Sequence, residues 1–195
     1  QWQRGGNTAL SDTPFARGEE GIPINGLVWM GTFCEMATRL EEKLRQGFRC
    51  VKLKIGAIDF EQEIELLRRI RQTFDKEAVE LRLDANGAFR PDEALNKLER
   101  LAHFDIHSIE QPIRQGQWNE MAQLCRLSAV PIALDEELIG IHSAEQKRQL
   151  LDTIRPAYII LKPTLHGGIS GCTEWISLAA ERGIGSWATR ALESN

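Results

Sequence analysis

Five ionisable residues recur at nearly even intervals along the 195-residue chain: Lys54, Asp84, Glu110, Asp135 and Lys162, separated by 30, 26, 25 and 27 residues. Three carboxylates brought within a few ångströms of one another repel, and must protonate or bind a cation. Oxygen donors with no His or Cys among them favour Mg²⁺, with Mn²⁺ as the other candidate, over zinc. A substrate carboxylate could fill the open positions of such an ion. A lysine beside it could then take the proton alpha to that carboxylate. At its ordinary pKa of ~10.4 a lysine is a poor base. Lys52, two residues before Lys54, and a nearby divalent cation would both disfavour the ammonium form. The chemistry implied is general acid–base catalysis on a small-molecule carboxylate.

The intervals point to one β-strand and one α-helix per charge. Strands are predicted at 26–30, 50–55, 80–84, 106–110, 131–135, 158–162 and 184–188. Helices are predicted at 34–46, 60–74, 91–102, 118–127, 143–154 and 172–182. The second helix shows the pattern well, with Ile64, Leu67, Ile70 and Phe74 on one face. Pro91 suits a first helical position, Ser143 an N-cap, and Gly47 and Gly183 helix stops. Strict alternation means a parallel sheet with helices outside it. An open doubly wound sheet gathers its ligand at one switch point. A barrel collects residues from many strand ends around one mouth. Five consecutive strands ending in a charge therefore favour a TIM-type (β/α) barrel.

Side-chain parity agrees. In Val51-Lys52-Leu53-Lys54 the lysines share one face and the aliphatics the other. Leu83, Leu134 and Leu161 likewise oppose Asp84, Asp135 and Lys162. The aliphatic face belongs against the helices and the charged face inside the barrel. In an eight-stranded barrel, strands two and six lie opposite each other, so Lys54 and Lys162 face each other across the mouth. Isolated loop-edge salt bridges would explain one such acid, not three in consecutive units at one parity. Charge neutralisation would explain two lysines, not their opposed placement.

Supporting residues are less sharply marked. Asn86 shares the parity of Asp84 and reads equally as a hydrogen-bond partner or as a turn residue before Gly87. Glu136 has the opposite parity to Asp135 and reads as a loop acid behind the ligands. Arg82 is expected one layer below Asp84, paired with Glu80 or a carboxylate. His103 reads as lying at a helix end, His107 on an outward strand face, and His142 and His166 in loops, all structural. The loops at 13–20 and at Gly167-Gly168 are candidates for touching a substrate.

Composition limits the rest. A hydrophobic fraction of 42% with 27% charged residues fits a globular protein. A net charge of −4 with no basic patch argues against nucleic acid. No apolar run approaches the ~18–20 residues of a membrane span, so no membrane partner is expected. Cys34, Cys50, Cys125 and Cys172 have no CxxC spacing and read as buried thiols of a reducing cytoplasm.

The motifs Lys52-Leu53-Lys54, Asp84-Ala85-Asn86-Gly87, Glu110-Gln111-Pro112, Leu134-Asp135-Glu136 and Leu161-Lys162-Pro163, with Gly167-Gly168, resemble the muconate-lactonizing subgroup of the enolase superfamily. The resemblance runs from about Ile22 to the end. It implies a (β/α)7β barrel, Lys54 as acid and base, Lys162 as the opposed lysine, and Asp84, Glu110 and Asp135 as Mg²⁺ ligands. Residues 21–27 and 191–195 look most like the o-succinylbenzoate synthases of menaquinone biosynthesis, which are dehydratases. The dipeptide epimerases and N-acylamino acid racemases of the same subgroup are the alternative, and a non-catalytic carboxylate- or metal-binding barrel a third reading. The resemblance also implies that residues 1–20 are the tail of an N-terminal capping domain or a connecting loop. Residues 21–195 are then a barrel lacking its last helix and strand, with an expected gap between the first and seventh strands.

Overall fold

The computed structural model describes residues 12–191. The expectations for 1–11 and for 192–195 lie outside the described residues. Seven strands alternate with six helices: β1 (Gly26–Val28), α1 (Phe33–Arg45), β2 (Cys50–Lys54), α2 (Phe60–Thr73), β3 (Glu80–Asp84), α3 (Pro91–Ala102), β4 (Ile106–Glu110), α4 (Trp118–Leu127), β5 (Ile132–Leu134), α5 (Ala144–Ile154), β6 (Tyr158–Leu161), α6 (Gly168–Ala180) and β7 (Gly185–Ala188). All neighbouring strands pair in parallel, in the order β1 to β7. Among the described residues β1 and β7 do not pair, so the barrel-like sheet stays open there as expected.

Local chemistry sets the helix starts. Thr32 and Glu35 form a reciprocal capping box on α1. Asp59 accepts from the Glu61 N–H on α2, Pro91 opens α3, and Ser143 caps α5. The outward strand residues Val51, Leu53, Leu81, Leu83, Ile109, Ile132, Leu134, Ile159 and Leu161 are all buried against the helices. From the helix side they meet Leu67, Ile70, Leu98, Met121, Leu151 and Trp175 in one core. Each such side chain contributes ~1.5–3 kcal/mol by leaving water. The inward face is therefore free to carry charge.

Register then ranks the charges. Lys54 pairs with Asp84, and Asp84 with Glu110, along a single row. The row continues to Ala133, two residues before Asp135. The loops that follow β2 and β3 interlock at Gly56, whose φ of +87° and contact with Ala88 leave no room for a Cβ.

Three expectations need correction. The sixth helix begins at Gly168, not at 172. Its first turn carries no apolar periodicity, the left-handed Gly167 acts as its N-cap, and Gly168, itself at φ +71°, is its first residue. His107 does not face outward. A bulge between Leu81 and Arg82 shifts the register. His107 stacks on Tyr158 at 5.1 Å and nears Trp187 at 6.3 Å, both on the parity of the inner face. The cysteines are free, but only Cys172 is buried. Cys34 is exposed in the first turn of α1, away from the buried Met36 and Leu40. No helix among the described residues is long and apolar enough to cross a membrane.

Candidate active site

The strand ends open onto a cavity of about 560 Å³. Lys52, Lys54, Asp84, Asn86, Glu110, Glu136 and Lys162 line it, with Trp29, Met30, Leu165 and Arg190 around them. Lys54 is buried at the end of β2. Its Nζ donates to Asp84 Oδ2 at 2.5 Å and to Asn86 Oδ1 at 2.6 Å, with the Trp29 ring 5.3 Å away. Asn86 is at once the turn residue and the lysine partner. Its φ of 45° makes the turn, and its Nδ2 donates to Glu136 Oε1 at 2.8 Å. Glu136 opens a short 3-10 turn, Glu136–Leu138, and from there reaches the mouth despite its opposite parity.

Lys52 bridges two carboxylates, donating to Asp84 Oδ2 at 3.0 Å and Glu110 Oε2 at 2.9 Å. Burial opposes the Lys52 charge, but Glu110 and Asp84 outweigh it and its pKa is raised. Burial would likewise raise Asp84, yet Lys52 and Lys54 hold it below the ordinary carboxylate range. Glu110 goes the other way. Burial first, then repulsion from Asp84, push it up to about 9 against the pull of Lys52. Lys162 Nζ bonds Asp135 Oδ2. Asp135 is 1% exposed, and its Oδ1 has no partner among the described residues. All three expected ligands thus point inward. Among the described residues no three His, Cys, Asp or Glu side chains are already gathered as a metal cage. Lys52 and Lys54 hold Asp84, Lys52 holds Glu110, and Lys162 holds Asp135.

Arg82 lies below this layer, bonded to Glu80 at 2.6 Å and stacked over Trp187 at 4.4 Å. His103 caps the end of α3. The exposed turn at 13–20 does not line the cavity.

The sequence reading gave no role to several residues that shape the site. Gln111, fully buried with φ 40°, accepts the Asp135 and Glu137 N–H groups on Oε1 and donates to Glu137 and the Ile113 carbonyl from Nε2. Glu137 also takes the Gly116 N–H at 2.7 Å. Glu63, on α2, takes the Gly56 N–H just beyond Lys54. Burial raises Glu63 to about 7 although the Gly56, Ile58 and Ala57 amides favour its charge. Gln111 could have been found as the neighbour of Glu110. Nothing in the periodicity of α2 marks Glu63.

Residues 35–192 match the family described as enolase C-terminal domain-like. The chain belongs to that family. Among its relatives, the o-succinylbenzoate synthase of Desulfotalea psychrophila is 56% identical over 191 residues, 98% of this chain and 52% of that protein. The crystal structure of MenC from the same organism superposes with a TM-score of 0.88 at 54% identity, over 98% of this chain and 52% of that one. The L-Ala-D/L-Glu epimerase of Bacillus subtilis is 32% identical over 152 residues, 77% of this chain and 40% of that protein. The chain spans about half the length, or less, of these family members. The superposition and the family match agree with an enolase-type (β/α) barrel, of which the described residues form seven strands.

Proposed function

We propose that this chain carries the barrel mouth of an o-succinylbenzoate synthase of menaquinone biosynthesis. The carrying observation is the 56% identity to such a synthase over nearly the whole chain. The two lysines and three carboxylates at one mouth supply matching chemistry. Residues 21–195 act as the barrel in this reading, and 1–20 as the tail of a capping domain or a connecting loop. The four free cysteines fit the cytoplasm as its compartment.

The residues fit a hard divalent cation. Asp84, Glu110 and Asp135 are buried, carry only oxygen donors, and include the unpartnered Asp135 Oδ1. Mg²⁺ suits that donor set, and Mn²⁺ would be accepted. When bound, the ion supplies positive charge for a substrate carboxylate. Lys54, as the free amine, takes the proton from the carbon alpha to the carboxylate of a succinyl-hydroxycyclohexadiene-carboxylate. Asn86 and Asp84 aim its Nζ, and Glu136 holds Asn86. Lys162 faces the developing negative charge as a cation. The hydroxyl then leaves with its bonding electrons, takes the proton back from Lys54, and departs as water. Trp29, Met30 and Leu165 offer apolar surface to the ring.

The test incubates the full-length protein and Mg²⁺ with this precursor. Loss of water to give the aromatic product is expected. If the protein instead exchanges the alpha proton of dipeptides or N-acylamino acids in deuterated water, with both lysines required, it is an epimerase or racemase. If it does neither but binds the cation, it is a binding barrel.

A further inference from the structure

Behind Lys162 stands a histidine that the proposed chemistry does not use. β6 ends at Leu161, so the Lys162 backbone lies just past the sheet ladder. The chain turns back at once: the Leu165 and His166 N–H groups both donate to the Lys162 carbonyl, at 2.8 and 3.1 Å. The His166 side chain then folds under the turn, and its Nδ1 accepts the Lys162 N–H at 2.9 Å. Residue 166 thus holds both the donor and the acceptor of the Lys162 main chain.

The ring has little freedom. His166 is 3% exposed. The first turn of α6 closes on its backbone, and a Cβ on Gly171 would collide with the His166 carbonyl. Accepting at Nδ1 leaves the proton of a neutral imidazole on Nε2, an atom with no partner here. Among the described residues, the ring's one hydrogen bond is therefore the one to Lys162.

We propose that His166 is a positioning residue for Lys162: by accepting the Lys162 N–H at Nδ1 it fixes the direction in which that lysine enters the mouth. The proposal rests on the synthase reading for its kinetic consequence, not for its geometry. A small displacement of a reacting group costs on the order of 10–100-fold in rate.

The test uses the full-length enzyme and three variants. In His166→Asn, Oδ1 falls close to the place of Nδ1 and can still accept. In His166→Gln, the amide reaches the place of Nε2 instead. His166→Leu keeps bulk and removes the acceptor. Expected are a kcat within about threefold of wild type for Asn, and a fall of ~10–100-fold for Gln and Leu with KM little changed. Gln performing as well as Asn, or all three variants behaving alike, overturns the proposal. Should Leu fail to fold, the Asn and Gln pair decides alone. A second measurement is independent of activity. Nitrogen NMR of the wild-type imidazole should show a neutral ring protonated on Nε2; protonation on Nδ1 overturns the proposal. If the wild type does not dehydrate the precursor, the synthase reading fails, and the NMR result still decides the role of His166.

Discussion

Lys54 and Lys162 open onto the same cavity, yet the protein holds them differently. Lys54 Nζ has two oxygen partners, Asp84 and Asn86, and an aromatic face at 5.3 Å. Among the described residues, Lys162 Nζ has Asp135 alone. The side chain of Lys54 is 10% exposed and that of Lys162 16%. Behind them the contrast continues. A carboxylate, Glu63, grips the Gly56 N–H two residues past Lys54. An imidazole, His166, grips the main chain of Lys162 itself. A group that must remove and return a proton needs a fixed direction. A group that only offers charge needs its backbone entry fixed, as His166 fixes that of Lys162, but fewer partners on its Nζ. At the Nζ atoms, this asymmetry suits the one-base dehydratase proposed above better than a two-base racemase.

The comparison breaks most visibly at the lysines. In the full-length enzyme, Lys54→Arg is expected to abolish dehydration, a loss of at least ~10²–10⁴-fold, because a guanidinium stays protonated. Lys162→Arg keeps the charge and should retain measurable turnover. Steady-state rates on the precursor check both, and equal losses would argue for two bases. Next comes one partner of each lysine. Asp135→Asn should weaken Mg²⁺ binding by more than the ~10–100-fold typical of losing an outer partner of a metal ligand. Asn86→Ala, which removes a lysine partner, should leave it nearly unchanged. Calorimetric titration of metal-stripped full-length protein distinguishes the two.

Smaller effects sharpen the contrast between the supports. Gly56→Ala forces a Cβ into Ala88 at a positive φ, and should cost about 1–3 kcal/mol of unfolding free energy in a denaturant titration. Glu63→Gln tests the carboxylate by pH. Burial raises the folded-state pKa of Glu63 to about 7, above its unfolded value. The folded protein therefore binds this proton more tightly. The stability it adds is fully present below about pH 4.5 and is lost as pH rises through 7. The Gln variant lacks that slope. Its unfolding free energy from urea titration should match wild type near pH 4.5 and exceed it at pH 8, by ~1–3 kcal/mol. A constant difference across this range would show that Glu63 does not titrate there.

Much of this was legible because strands have a period of two. Lys54, Asp84 and Lys162 could be assigned an inward face from their aliphatic neighbours alone, and each lines the cavity. Parity loses its meaning where a strand ends or slips. Glu136 reaches the mouth from a 3-10 turn, and His107 turns inward at a bulge. Neither event has a two-residue signature. Trp29 follows the three-residue β1 and reads as readily as core. Gln111, Glu63 and His166 act through hydrogen bonds to backbone amides distant in the chain or across a turn. Such bonds depend on where loops meet in space, which periodicity does not encode. The start of α6 was misplaced because two left-handed glycines open it.

The row formed by Lys54, Asp84 and Glu110 also bears on how the chain finds its pairing. A one-residue slip of β2 or β3 would turn these charges onto the apolar sides of the helices and bring Leu53 and Leu83 into the cavity. Such a misaligned sheet would leave bare charges in its oily layer, while the native alignment lets Lys52 and Lys54 answer Asp84 and Glu110. The residues read here as the instrument of chemistry thus also act as a ruler for assembly, and a variant stripped of all of them would lose its guide to strand alignment along with its reactivity.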